Sequence, residues 1–202
     1  MAPPTLCGPA AGSEGRGLTE RTNRRDAATG ATIGVVYLIK ERFFDFGDDF
    51  DITDESGRRM FHVDGKVLSL RDKLVISDAS GRDVAEVHRR LVALHRTYAI
   101  RISGEPAGEV RKHLFTPFRD KFTIDIPGPR DLEIKGSIFD HEFTIERDGD
   151  TVATASKRWI SIRDTYAVDI APGENDLVIL ASVLAVELSQ KRDSEKKDDK
   201  ED

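Results

Sequence analysis

Leu177-Val178-Ile179-Leu180-Ala181-Ser182-Val183-Leu184-Ala185-Val186-Glu187-Leu188 is apolar at ten of its twelve positions. Gly173 and Asn175-Asp176 ahead of it offer a turn and a helix N-cap, and Lys191-Arg192 behind it suit the negative end of a helix dipole. Alanine, leucine and glutamate favour helix, and the valines and isoleucine weaken that preference only slightly. A helix apolar on every side is buried on every side. At about 1.5 Å per residue the segment spans roughly 18 Å, short of the ~30 Å hydrocarbon core of a bilayer. It is therefore expected as a core helix, with Leu177, Ile179, Leu180, Val183, Leu184 and Leu188 as its packing residues, and not as a membrane anchor. Something must surround it.

The preceding sequence supplies the enclosure. A pattern recurs: apolar-x-apolar, a two-residue polar corner, then x-apolar-x-apolar. Phe44-Asp45-Phe46 leads through Gly47-Asp48 to Phe50 and Ile52, and Leu68-Ser69-Leu70 through Arg71-Asp72 to Leu74 and Ile76. Val92-Ala93-Leu94 leads through His95-Arg96 to Tyr98 and Ile100, and Thr116-Pro117-Phe118 through Arg119-Asp120 to Phe122 and Ile124. Corner positions 48, 72, 96 and 120 lie 24 apart three times running. Two looser copies follow, Asp140-His141 before Phe143 and Ile145, and Arg163-Asp164 before Tyr166 and Val168.

Each copy reads as two strands. A run such as 121–126 alternates with period two, as a half-buried strand does. A turn containing Gly57, Gly81, Gly128 or Gly149 follows, and then a second alternating run such as 84–89. A propeller blade needs about four strands, so two per unit favour a meander of hairpins. With an opening strand near 35–42 the count is about twelve. Eight closed strands are filled by their own side chains, whereas twelve leave a lumen that a helix of ~10–12 Å diameter fills. The expected fold is mainly β: a closed antiparallel barrel of about twelve strands around a hydrophobic C-terminal α-helix.

The ends fall outside that unit. Residues 1–34 hold fifteen Gly, Ala or Pro and no aromatic, too little apolar surface to offset the entropy of ordering. They are expected as a disordered leader or a misassigned start. Residues 191–202 carry eleven charges in twelve positions and are expected as a solvated, disordered tail. Residues 35–190 are expected to form the single domain.

Several motifs quoted above resemble a known family. Tyr37-Leu38-Ile39-Lys40-Glu41-Arg42, Gly47-Asp48-Asp49-Phe50-Asp51-Ile52, Phe115-Thr116-Pro117-Phe118-Arg119-Asp120 and Asp164-Thr165-Tyr166 with its apolar helix are similar, in order and spacing, to bacterial LURP-one-related proteins. These belong to the tubby C-terminal-like superfamily, alongside phospholipid scramblases. The resemblance implies the twelve-stranded barrel around a central helix. It implies no catalytic residue, and a lipid function taken from the superfamily rests on fold analogy.

Composition narrows the function. The 202 residues carry 31 Lys and Arg against 37 Asp and Glu, a net charge of −6, so nucleic acid is not an expected partner. Cys7 is the single cysteine, which excludes an internal disulfide. No apolar export signal precedes the domain, and a cytoplasmic monomer, with peripheral membrane association as the alternative, is expected. No cofactor is expected. His62, His88, His95, His113 and His141 lack metal-ligand spacing, Asp45-Phe46-Gly47 lacks every other kinase element, and Ser137 with Asp140-His141 lacks a nucleophile elbow. The acidic run 48–55 lacks the glycine and terminal glutamate of a calcium loop. No enzyme is expected.

Charge is unevenly spread. Residues 40–64 carry four basic and eight acidic side chains, and residues 82–122 nine basic and five acidic. Arg89, Arg90, Arg96, Arg111, Lys112, Lys157 and Arg158 are the candidate patch for an anion or lipid head group. In the competing reading Arg71-Asp72, Arg119-Asp120 and Arg163-Asp164 are pairs that fix corners, and Trp159 is core. The expected function is a non-catalytic binding or scaffold module whose partner is an anionic lipid head group or a protein. The alternative is a scramblase-like or peripheral phospholipid-binding protein.

Overall fold

In the computed structural model, neighbours in sequence are neighbours in the sheet. The structure describes residues 34–40, 49–64, 73–90, 97–113, 121–128, 130–157 and 164–198, the last eight by backbone alone. The described residues all belong to one compact unit, while residues 1–33, the expected leader but for Gly34, lie outside the described residues. The strands are β1 (Val35–Lys40), β2 (Phe50–Asp54), β3 (Arg59–Asp64), β4 (Lys73–Asp78), β5 (Asp83–Arg90) and β6 (Thr97–Ile102). They continue as β7 (Glu105–His113), β8 (Lys121–Asp125), β9 (Leu132–Ser137), β10 (Glu142–Arg147), β11 (Asp150–Ser156) and β12 (Thr165–Ile170), before helix α1 (Asp176–Asp198). Every pairing is antiparallel between consecutive strands, and β1 closes the barrel by pairing β12 from Val35↔Ile170 to Lys40↔Thr165. Closure leaves no unpaired edge among the described strands.

The helix fills this cylinder. Ile179, Leu180, Val183, Leu184 and Leu188 are at most 1% exposed, and Leu177 packs at the entrance. Asn175 caps α1, its Oδ1 accepting from the Val178 amide at 3.2 Å, as the quoted sequence predicts. Ser182 is buried too, but its hydroxyl donates to the Val178 carbonyl at 2.7 Å. The helix enters at the end bearing the glycine turns, where Tyr37 Oη donates to Asp176 Oδ2 at 2.6 Å. Eleven residues later, about 16 Å along the axis, Glu187 meets His141 in the β9–β10 turn at the opposite, corner end (Nδ1···Oε1 2.8 Å). His141 also stacks on Tyr166, with ring centroids 4.5 Å apart.

A repeated bulge gives the curvature. Register shifts follow Ile52, Ile76, Ile100 and Ile145, so Met60, Val84, Ala107 and Val152 on the partner strands are each one residue in excess. The extra residue lets two successive apolar side chains, Val84-Ala85 or Val152-Ala153, turn toward the core instead of one. Bulges also raise local twist, which closure requires. The β2–β3 and β4–β5 turns repeat one hydrogen-bond pattern. Asp54 Oδ1 accepts from Ser56 N and Oγ and from Arg58 N, as Asp78 Oδ1 does from Ser80 and Arg82.

One element differs from expectation. The backbone of α1 runs on to Asp198, so residues 191–198 are helical where an irregular tail was predicted. Lysine, arginine and glutamate are good helix formers, and α1 already supplies the nucleated turns that an isolated charged segment lacks. Phe44, Phe46, Trp159 and the corner pairs at 71–72 and 119–120 lie outside the described residues, as does Arg163.

Candidate functional site

Period two divides the basic patch that the sequence suggests. Arg90 and Arg111 point outward from β5 and β7, whereas Arg89 and Lys112 occupy the inward-facing series. Lys112 is 5% exposed, with Nζ 5.5 Å from the centroid of the Phe122 ring. Arg96 and Arg158 lie outside the described residues. Lys157 follows β11, where its amide donates to Glu142 at 2.9 Å, and β11 is separated from β7 by three intervening strands. Of the seven residues, the described structure brings only Arg90 and Arg111 together on one outer surface.

Those two flank a groove of about 680 Å³ on the barrel wall over β5 to β8. Register explains the depression. His88, Ala99, Glu109 and Asp125 form one cross-strand row on the outer face, with the small Ala99 at its low point. A Cβ on Gly108 would stand 2.9 Å from the Asp125 carbonyl oxygen, so the close approach of β7 and β8 requires glycine there. Arg90 reaches across β6, above Ala99, to Glu109. Pro106, Ile126 and Pro127 form an apolar shelf toward the glycine-turn end.

The electrostatics are asymmetric. Both oxygens of Glu86 are engaged, by Lys73 Nζ at 2.5 Å and His88 Nε2 at 2.8 Å. The Lys73 bond holds the Glu86 carboxyl below its usual range against an opposing effect of burial, and His88 adds to the lowering. Glu109 accepts from Arg90 and, at 3.5 Å, from Arg111 Nη2, which also donates to Asp125 Oδ2 at 2.6 Å. The arginines are less committed. Arg90 donates only through Nη1, Arg111 only through Nη2, and Arg101 only through Nη1 to the Gly104 carbonyl at 3.2 Å. Three guanidinium groups thus line the groove with Nε and one further nitrogen each uncommitted among the described residues.

The other candidates resolve into local structure. His62 pairs with Asp51 and His113 with Thr123, and His95 is outside the described residues. Among the described residues no three His, Cys, Asp or Glu side chains gather as a metal site. Ser137 Oγ donates to Asp140 at 2.6 Å, but His141 turns to Glu187, so no Ser-His-Asp relay forms. Asp54, in the acidic run, serves its own turn. Arg101, Glu86, Glu109 and Asp125 stand on four different strands and meet only across the sheet, so no local run of sequence marks them as a cluster. Counting alternate residues away from each glycine turn places Glu86, His88 and Arg90 on one face, and Ala99 and Arg101 beside them.

Comparison with known proteins agrees with the barrel. The LURP-one-related family profile matches residues 35–187. The uncharacterized protein YxjI of Bacillus subtilis is 32% identical over 152 residues, covering 75% of this chain and 91% of that protein. Protein LURP-one-related 6 of Arabidopsis thaliana is 27% identical over 154 residues, covering 69% and 80%. An Arabidopsis thaliana protein solved by X-ray crystallography superposes with a TM-score of 0.55 at 18% identity, covering 80% of this chain and 93% of that one.

Proposed function

The chain belongs to the LURP-one-related family, and on that premise we propose that it is a non-catalytic binding module whose barrel wall holds an anionic group in the groove over β5 to β8. The observation that carries this reading is the imbalance of donors: Glu86 and Glu109 are occupied at both oxygens and Asp125 is already paired, while among the described residues Arg90 and Arg101 each keep the Nε–Nη2 edge and Arg111 keeps Nε and Nη1 as separate donors. Guanidinium edges match carboxylate and phosphate oxygens in planar geometry. Residues 35–190 make up the binding domain.

Titrating the ¹⁵N-labelled chain with inorganic phosphate tests the site. Amide shifts confined to β5 to β8, centred on Ala99 and Gly108, are expected. Uniform shifts, or shifts elsewhere, would refute it. Peripheral phospholipid binding is the second reading, and Phe139, 84% exposed on the β9–β10 turn, favours it. In that case Phe139→Ser abolishes sedimentation with anionic vesicles. No helix among the described residues is long and apolar enough to cross a membrane.

A further inference from the structure

We infer that the occupant of the groove is an acidic polypeptide segment, whose carboxylates take the Nε–Nη2 edges of Arg90 and Arg101 and the remaining donors of Arg111; this rests on the groove being the binding site. The spread of the arginines selects an extended ligand. Arg90 and Arg111 sit in one cross-strand row with Thr97 between them, two strands apart, or about 10 Å. Arg101 lies four residues along β6 from that row, about 13 Å away by strand rise. A single phosphate reaches one or two of these groups. An extended chain lying along β6 places same-face side chains about 7 Å apart and every second one about 13 Å apart, so acidic residues four apart reach the Arg90–Arg111 row at one end and Arg101 at the other.

The surroundings distinguish a polypeptide from a charged bilayer. Anionic membranes attract clusters of basic residues through their summed field. Here the wall alternates in sign, with Lys73–Glu86 on one side and Lys121–Glu133 and Lys135–Glu146 on the other. Recognition is therefore by local forks, which suits a ligand whose own charges are spaced along a chain. The small Ala99 leaves room for its backbone, and the shelf of Pro106, Ile126 and Pro127 takes side-chain methylenes.

The test is fluorescence anisotropy of labelled decaglutamate with the full chain. Binding is expected at low salt and should weaken as salt screens it. Arg101→Gln, at an arginine that pairs with no carboxylate among the described residues, should weaken it about tenfold. Ala99→Phe, which fills the floor, should abolish it, and circular dichroism melts verify that both variants fold. Binding that neither variant changes overturns the proposal. If decaglutamate fails but inorganic phosphate or phosphatidylserine vesicles bind in an Arg101-dependent way, the peptide occupant is wrong and the groove stands. If none of the three binds, both readings fall.

Discussion

Tyr37 in β1 and Asp176 at the start of α1, 139 residues apart in sequence, are joined by a 2.6 Å hydrogen bond that ties the barrel wall to the helix it encloses. The Tyr37 side chain is buried, 3% exposed. Burial, then the hydrogen bond and charge of Asp176, push its pKa well above the ordinary tyrosine value.

Tyr37→Phe should lower stability by about 2 kcal/mol, the usual worth of a hydrogen bond to a charged acceptor, read from the urea midpoint. Its pH dependence has a definite sign. A raised folded-state pKa gives stability that is complete below the unfolded value of about 10 and is lost as pH climbs beyond it. The stability gap between wild type and Tyr37→Phe should therefore shrink above pH ~10. A gap constant across that range would show that the phenol is not held by Asp176.

Acid should act through the repeated turns. Ser80 first, and then Arg82, hold the Asp78 carboxyl below the usual range, as Ser56 chiefly does for Asp54. A depressed folded-state pKa gives stability that is present above the unfolded value of about 3.9 and falls away as pH drops toward the folded one. Denaturant unfolding between neutral pH and pH ~2 should show this loss, and Asp78→Asn should make it shallower. An unchanged acid limb in that variant would count against the turn geometry.

Substitutions in α1 read the interior directly. Leu180→Lys places an unpaired ammonium in the barrel and should leave no soluble folded protein. Leu180→Ala should fold with a loss of about 3 kcal/mol, measured by thermal or chemical unfolding. Wild-type melting in either variant would contradict the burial of this side chain.

Two glycines separate strain from collision. Gly57 has φ +80° with open space around its would-be Cβ, so Gly57→Ala should cost about 1 kcal/mol. At Gly136, φ is +124° and a Cβ would stand 2.5 Å from the Glu142 carbonyl oxygen and 2.7 Å from Phe143 Cα, both backbone atoms. Gly136→Ala should cost at least twice as much, about 2 kcal/mol or more, and equal losses would refute the clash.

The fold was legible in the sequence because its two signals are periodic and reinforce each other. The corner spacing counted the hairpins, and the run at 177–188 named what they enclose. The bulges were not legible. Pairs such as Val152-Ala153 break strict alternation, and only the partner's register shows that both face inward. Nor was the site, because a run of basic letters says nothing about sides. Arg89 and Arg90 are adjacent in sequence and face opposite ways, and the groove is assembled from four strands whose lateral order follows from closure rather than from any local word. The helix past 190 is not legible either, because charge density alone reads as solvated chain, whereas attachment to a formed helix changes the cost of each added turn.

Chain order adds a constraint on biogenesis. All twelve staves are synthesised before the rod that fills them, and the first stave closes only upon the last. Until residues 177–188 arrive, the inward-facing isoleucines, valines and tyrosines have nothing dry to rest against. A nascent chain halted before Asp176 is a wetted, half-rolled ribbon, the kind of species that chaperones capture and proteases clear.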